Sequence, residues 1–107
     1  MAVILVTLAQ GIVTTSGTEI SASNGTATAT SVDRVTKVFI SAPAANTGTI
    51  YVGDSDVSTT RGIPIVKGNS LEIASQGDEY INLAGIWIDA ATNGDKFQIS
   101  YLKKVSS

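Results

Sequence analysis

Short apolar runs rich in Val, Ile and Thr alternate along the chain with clusters of Gly, Ser, Asn and Asp. No long window places apolar residues at the 3.6-residue spacing of a helix, so the pattern predicts strands throughout. Residues 3–8 form the most continuous run, with Val3, Ile4, Leu5, Val6 and Leu8 putting apolar side chains on both faces of an extended strand. Strand segments are then expected at 11–15 and, across the Ser16-Gly17 turn, at 18–22. Residues 21–31 hold only the small side chains of Ser, Ala, Thr and Asn with a glycine, and predict a loop or mobile hairpin tip. Over 32–42, Thr36, Val38, Ile40 and Ala42 share one face, and Val35, Lys37, Phe39 and Ser41 the other, until Pro43 removes an amide donor and ends the ladder.

The second half reads the same way. Strands are expected at 49–52, 63–66, 71–74, 86–90 and 97–102. Lys67-Gly68-Asn69-Ser70 and Asn93-Gly94 predict hairpin turns, because Gly and Asn accept positive φ. The expected architecture is all-β: a single-domain β-sandwich or jelly roll of about seven or eight short antiparallel strands. It would comprise an apolar N-terminal arm or first strand at 1–9, a sandwich at 10–104, with Lys103-Lys104 opening a polar end, and a tail at 105–107.

Composition narrows function more by exclusion than by suggestion. The 107 residues contain no Cys and no His, which removes disulfides, thiolate chemistry and every mechanism that needs an imidazole. Seven Lys and Arg against nine acids give a net charge of -2 and no cationic footprint for a phosphate backbone, so nucleic acid is not expected as a partner. The 3–9 run falls far short of the roughly 20 residues a membrane-spanning helix needs, and Met1-Ala2 does not resemble the charged start of a secretory signal. Synthesis in a cytoplasm, with no membrane partner, is the expectation.

Few residues suggest chemistry. Asp54, Ser55 and Asp56 could offer oxygens to a calcium ion, but no further acidic positions or closing Glu follow, and Asp and Ser are turn formers in their own right. Asp78, Glu79, Asp89 and Asp95 could supply a catalytic carboxylate pair, although solvated or turn-capping roles suit them better. Ser55, Ser58 and Ser70 have no histidine to activate them. Trp87, Phe97, Tyr51, Tyr80 and Tyr101 could build a carbohydrate platform; with Phe39 they are also all the aromatics available for a core. No metal, cofactor or small-molecule substrate is expected.

One resemblance goes further. The order Asn46-Thr47-Gly48-Thr49-Ile50-Tyr51-Val52-Gly53-Asp54-Ser55-Asp56-Val57-Ser58, then Gly62-Ile63-Pro64-Ile65 and Lys67-Gly68-Asn69-Ser70-Leu71-Glu72-Ile73, resembles a segment of small structural proteins of tailed bacteriophages. Leu83 to Ala90, Asn93-Gly94-Asp95 and Ile99 to Leu102 are similar to that family's final hairpin, with looser likeness over 13–18 and 35–42. Lys67 stands where the pattern commonly has Pro, and residues 1–9 have no counterpart in it. The resemblance implies a non-enzymatic virion protein: a capsid decoration (cement) protein on the outer shell that binds the major capsid protein, bridges capsid subunits and forms a homotrimer. A head-tail connector or tail component belongs to the same class; a carbohydrate-binding module on a host-facing appendage is the alternative from another. The residues expected to make assembly contacts are Val3, Ile4, Leu5, Val6 and Leu8.

Overall fold

The computed structural model describes residues 2–25, 28–77 and 79–105. It is an all-β sandwich of nine strands and one short 3-10 turn: β1 (Ala2–Thr7), β2 (Gly11–Val13), β3 (Ile20–Ser21), β4 (Val35–Ser41), β5 (Ile50–Gly53), β6 (Ile63–Ile65), β7 (Ser70–Ala74), the turn Leu83–Gly85, β8 (Trp87–Ala90) and β9 (Asp95–Val105). One sheet has the order β1-β9-β4-β7, with β2 also paired to β9; the other has the order β3-β8-β5-β6. Every pairing is antiparallel.

Between the sheets lie the apolar positions of alternating parity. Phe97, Ile99 and Tyr101 of β9, Val38 and Ile40 of β4, Ile50 and Val52 of β5 and Ile88 of β8 are all buried, and Leu83 and Ile86 join the same core. The sequence places Val35 on the opposite face from Val38, yet both are fully buried. A register shift between Val35 and Lys37 explains the difference: Thr36 is the extra residue, and it turns Val35 back to the core side.

A second irregularity separates β1 from β2. Thr7 faces Ser100 and Gly11 faces Phe97, so three residues, Leu8 to Gln10, span the two of β9 between those pairs. Leu8 N–H donates to Ile99 O at 3.0 Å, and Gln98 Nε2 donates to Leu8 O at 2.9 Å, which keeps both strands on one flank of β9 through the bulge. Gly11 lies directly over the Phe97 ring, where a Cβ would collide with it.

Two expected hairpins are corrected, and the Ser16-Gly17 turn behaves as they do. The turn at Asn93-Gly94 joins β8 to β9, the turn at 67–70 joins β6 to β7, and the turn at Ser16-Gly17 joins β2 to β3, but in each case the two strands belong to different sheets. Gly17, Gly68 and Gly94 do adopt positive φ, at 90°, 84° and 85°. Chain reversal is therefore as expected, while the destination is the facing sheet. Among the described strands, β5 and β6 form the one pair that is consecutive in the chain. Two boundaries also move. Lys103 and Lys104 lie inside β9 and not in a polar tail, and Ser21, Ala22 and Ser23, at the start of the expected loop 21–31, are buried, with Ser21 in β3 within the strand expected at 18–22. Ser21 Oγ and Ser23 Oγ bond at 2.7 Å, and Ser23 Oγ accepts Thr30 N–H at 2.8 Å. Thr26 and Ala27, at the middle of that expected loop, lie outside the described residues.

Candidate functional site

The acidic candidates divide into surface turns and buried braces. Asp54 Oδ1 accepts Asp56 N–H at 2.9 Å and Asp54 O accepts Val57 N–H at 3.0 Å, which makes residues 54–57 a self-bonded turn near Arg61, with Asp54, Ser55 and Asp56 exposed and Val57 buried. Asp95 is buried: Oδ1 accepts Thr47 N–H at 2.9 Å and Oδ2 accepts Gly48 N–H at 2.8 Å. Asn46 continues this brace by accepting Lys96 N–H and donating to Lys96 O, both at 2.8 Å, and so imitates a strand partner for the start of β9. Asp89 is fully buried on the far face of β8, where Oδ1 accepts Gly17 N–H at 2.9 Å and Ala90 N–H at 2.8 Å. Asp89 and Asp95 are thus not solvated. Glu79 is exposed, and Asp78 lies outside the described residues. Among the described residues no three acidic side chains come together to hold a metal ion.

The aromatics do not gather on one face. Phe97 and Tyr101 are core residues, Phe39 is half-buried on the outer face of the first sheet, and Tyr80 is exposed. Tyr51 and Trp87, also half-buried, share the outer face of the second sheet as diagonal neighbours, since Tyr51 faces Asp89 and Trp87 faces Gly53.

The five apolar residues of the N-terminal segment separate into two groups. Val6 and Leu8 pack against the core, whereas Val3, Ile4 and Leu5 are 52%, 43% and 62% exposed. Ile4 and Lys103 face each other on the side that carries the core, as do Val6 and Tyr101. Tyr101 is buried, Lys103 half-buried and Ile4 exposed, so the cover over this face of the β1–β9 ribbon falls away toward its outer end. The molecule is correspondingly long, 43 × 25 × 22 Å.

Backbone polarity sharpens this picture. Because Leu8 N–H bonds to β9 and antiparallel bonding alternates, residues 4, 6 and 8 direct their N–H and C=O groups to β9, while Val3, Leu5 and Thr7 direct theirs at the open edge. Exposed edges invite pairing with other chains, and proteins blunt them with short strands, charge or proline. Three of the edges here are blunted in that manner: β3 has two residues, β6 has three and contains Pro64, and β7 carries Glu72, whose carboxylate lies 3.7 Å from Lys37 Nζ. The β1 edge is six residues long and has no charge and no proline. Its cationic surroundings come from the neighbouring strand, where Lys103 and Lys104 border a surface recess with Asp33 and Arg34, and Lys104 Nζ sits 5.9 Å from the centre of the Tyr80 ring.

The N-terminal run therefore belongs to its own sheet and also leaves half of itself open, an outcome between the two readings of 1–9. Leu5 differs from Val6 by strand parity, but nothing in the sequence pattern distinguishes Val6 from Ile4 on the core side, because tertiary packing decides which of them is covered. No helix among the described residues is long and apolar enough to cross a membrane. Comparisons with protein-family models, with characterised proteins and with solved structures return no match.

Proposed function

We propose that this protein is a structural component of a tailed-bacteriophage particle: a capsid decoration (cement) protein, made in the host cytoplasm and carried on the capsid surface, with no enzymatic activity. It associates as a homotrimer, binds the major capsid protein and bridges neighbouring capsid subunits. The likeness of residues 46–73 to small phage structural proteins supports the class. The observation that carries an assembly role is the uncharged, unpaired β1 edge with Val3, Ile4 and Leu5 exposed beside it. Completing the burial of three half-exposed side chains contributes about 2 to 5 kcal/mol per copy, taking half of the usual value for each. Binding of this kind occurs only on the assembled partner, so mass action shifts the equilibrium toward the intact shell, and many copies multiply a modest single-site affinity.

The test compares phage particles with and without the coding sequence for this chain. Particles lacking the protein are expected to release their genome at a lower temperature, and purified protein added back is expected to sediment with them and restore the original value. Failure of the protein to sediment with the particles contradicts a shell-binding role. The diagonal Tyr51 and Trp87 pair is the observation favouring a carbohydrate-binding module, and glycan binding abolished by Trp87→Ala with folding intact would establish that reading in its place.

A further inference from the structure

Among the described residues, six of the seven large apolar side chains that stand exposed lie on two opposite flanks of the sandwich: Val3, Ile4, Leu5 and Ile12 along β1 and β2, and Ile63 and Val66 along β6 and the turn into β7. The first flank ends in the β1 edge of the larger sheet and the second in its β7 edge. We infer that these two edges are complementary, and that β7 of a second copy of this chain pairs with β1, head to tail, so that the sheet continues from copy to copy. The inference deepens the self-association in the proposed function and rests on that part of it alone.

Strand direction is the first argument. Along β1-β9-β4-β7 each neighbour is antiparallel, so β1 and β7 run in opposite directions. A copy related by rotation about an axis parallel to the strands keeps its strand directions, and its β7 then meets β1 antiparallel, as the rest of the sheet is built. Such a heterologous contact closes into a ring when the rotation permits.

Hydrogen-bond parity and side-chain facing agree with it. On β7, Ser75 N–H donates to Thr36 O and Asn69 O accepts from Ala42 N–H, so residues 69, 71, 73 and 75 bond to β4, and Ser70, Glu72 and Ala74 direct their backbone groups outward. The outward-directed residues of β1 are Val3, Leu5 and Thr7, and both sets lie on the outer face of the sheet. The register that overlaps all of β7 with β1 sets Val3 against Ala74, Leu5 against Glu72 and Thr7 against Ser70 as hydrogen-bonded pairs. On the other face it sets Ile4 against Ile73 and Val6 against Leu71, which joins the half-exposed ends of two cores. A recess of about 450 Å³ beside β7, lined by Pro64, Ile65, Val66 and Leu71 among others, leaves room on that flank for the incoming ribbon.

Charge selects this occupant over a two-fold β1–β1 seam. Lys103 and Lys104 flank β1, with no acid anywhere from Lys96 to Val105, so a two-fold seam would draw four lysines together. The one charge on β7 is Glu72, an acid that already has Lys37 as a partner, so the head-to-tail seam meets cationic flank with acidic edge and buries no unpaired charge.

Cysteine cross-linking tests the seam in a chain that has no cysteine of its own. Hydrogen-bonded antiparallel pairs hold Cα atoms about 5.5 Å apart, within disulfide reach. Within one copy, β1 and β7 are three strand spacings apart, about 14 Å, so a bond between them there is impossible. The variant carrying Val3→Cys and Ala74→Cys is expected, under oxidation, to link most chains into covalent oligomers, and neither single substitution is expected to extend beyond a dimer. Leu5→Pro removes only a donor at the open edge and is expected to stay folded by circular dichroism and to be monomeric by native mass spectrometry. Efficient cross-linking of Leu5→Cys alone would show the two-fold seam and overturn the inference, as would a folded double variant that forms no intermolecular bond. Sedimentation with phage particles is scored separately: particle binding without cross-links would sink the seam alone, and cross-links without particle binding would sink the virion role alone.

Discussion

The two halves of β9 have the same backbone hydrogen bonding and opposite surroundings. From Asp95 to Tyr101 the strand is braced by Asn46 and Asp95, flanked by β2 and β4, and covered by the second sheet, so that Phe97, Ile99 and Tyr101 are buried. From Leu102 to Val105 it is flanked by β1 and by Val35 and Lys37 of β4, its residues are only half-buried, and Ile4 opposite Lys103 is left open. Strand formation and burial are thus separable here. The first half belongs to the packed core, and the second lies beside the exposed apolar side chains of Val3, Ile4 and Leu5.

Substitutions that respect this division should give unequal effects. Phe97→Ala removes a fully buried ring from the braced half and is expected to cost about 3 to 5 kcal/mol, lowering the midpoint of thermal unfolding by 10 °C or more. Asp95→Ala leaves Thr47 N–H and Gly48 N–H without their acceptor and is expected to cost about 1 to 3 kcal/mol, read from urea unfolding. Gly11→Ala forces a methyl group into the Phe97 ring and is expected to cost a similar amount, about 1 to 3 kcal/mol. A Gly11→Ala protein with unchanged stability would mean that β2 does not hold Phe97 in place. In the open half, Leu5→Lys is expected to change stability by no more than about 0.5 kcal/mol while abolishing self-association, measured by native mass spectrometry. A large loss of stability from Leu5→Lys would erase the distinction between the halves.

Much of this was legible in the sequence. The alternation in 32–42 and the apolar run at 3–8 both mark strands, and the core positions Val38, Ile40, Ile50, Val52 and Ile88 follow from period two. What was hidden has a common cause, because local pattern reports reversal and facing but not destination. Gly68 and Gly94 announce turns, yet a chain leaving a strand through positive φ can return beside itself or cross to the opposite sheet. Thr36 gives no sign of being the bulged residue that returns Val35 to the core. Asp89 and Asp95 look like surface acids until the backbone amides of Gly17, Thr47 and Gly48 are brought to them from distant segments. For the same reason five similar apolar residues near the N-terminus divide into covered and open ones.

Amide hydrogen exchange along β1, followed as protein concentration is raised, addresses the open edge most directly. In dilute protein the amides of Ile4, Val6 and Leu8, directed to β9, should exchange slowly, and those of Val3, Leu5 and Thr7 should exchange fast. As the protein self-associates, Val3, Leu5 and Thr7 are expected to become protected together with Glu72 and Ala74 on β7, because those are the amides a continuous sheet would pair. An alternating pattern on β1 that persists unchanged at every concentration, or protection of β1 without β7, would contradict the head-to-tail edge.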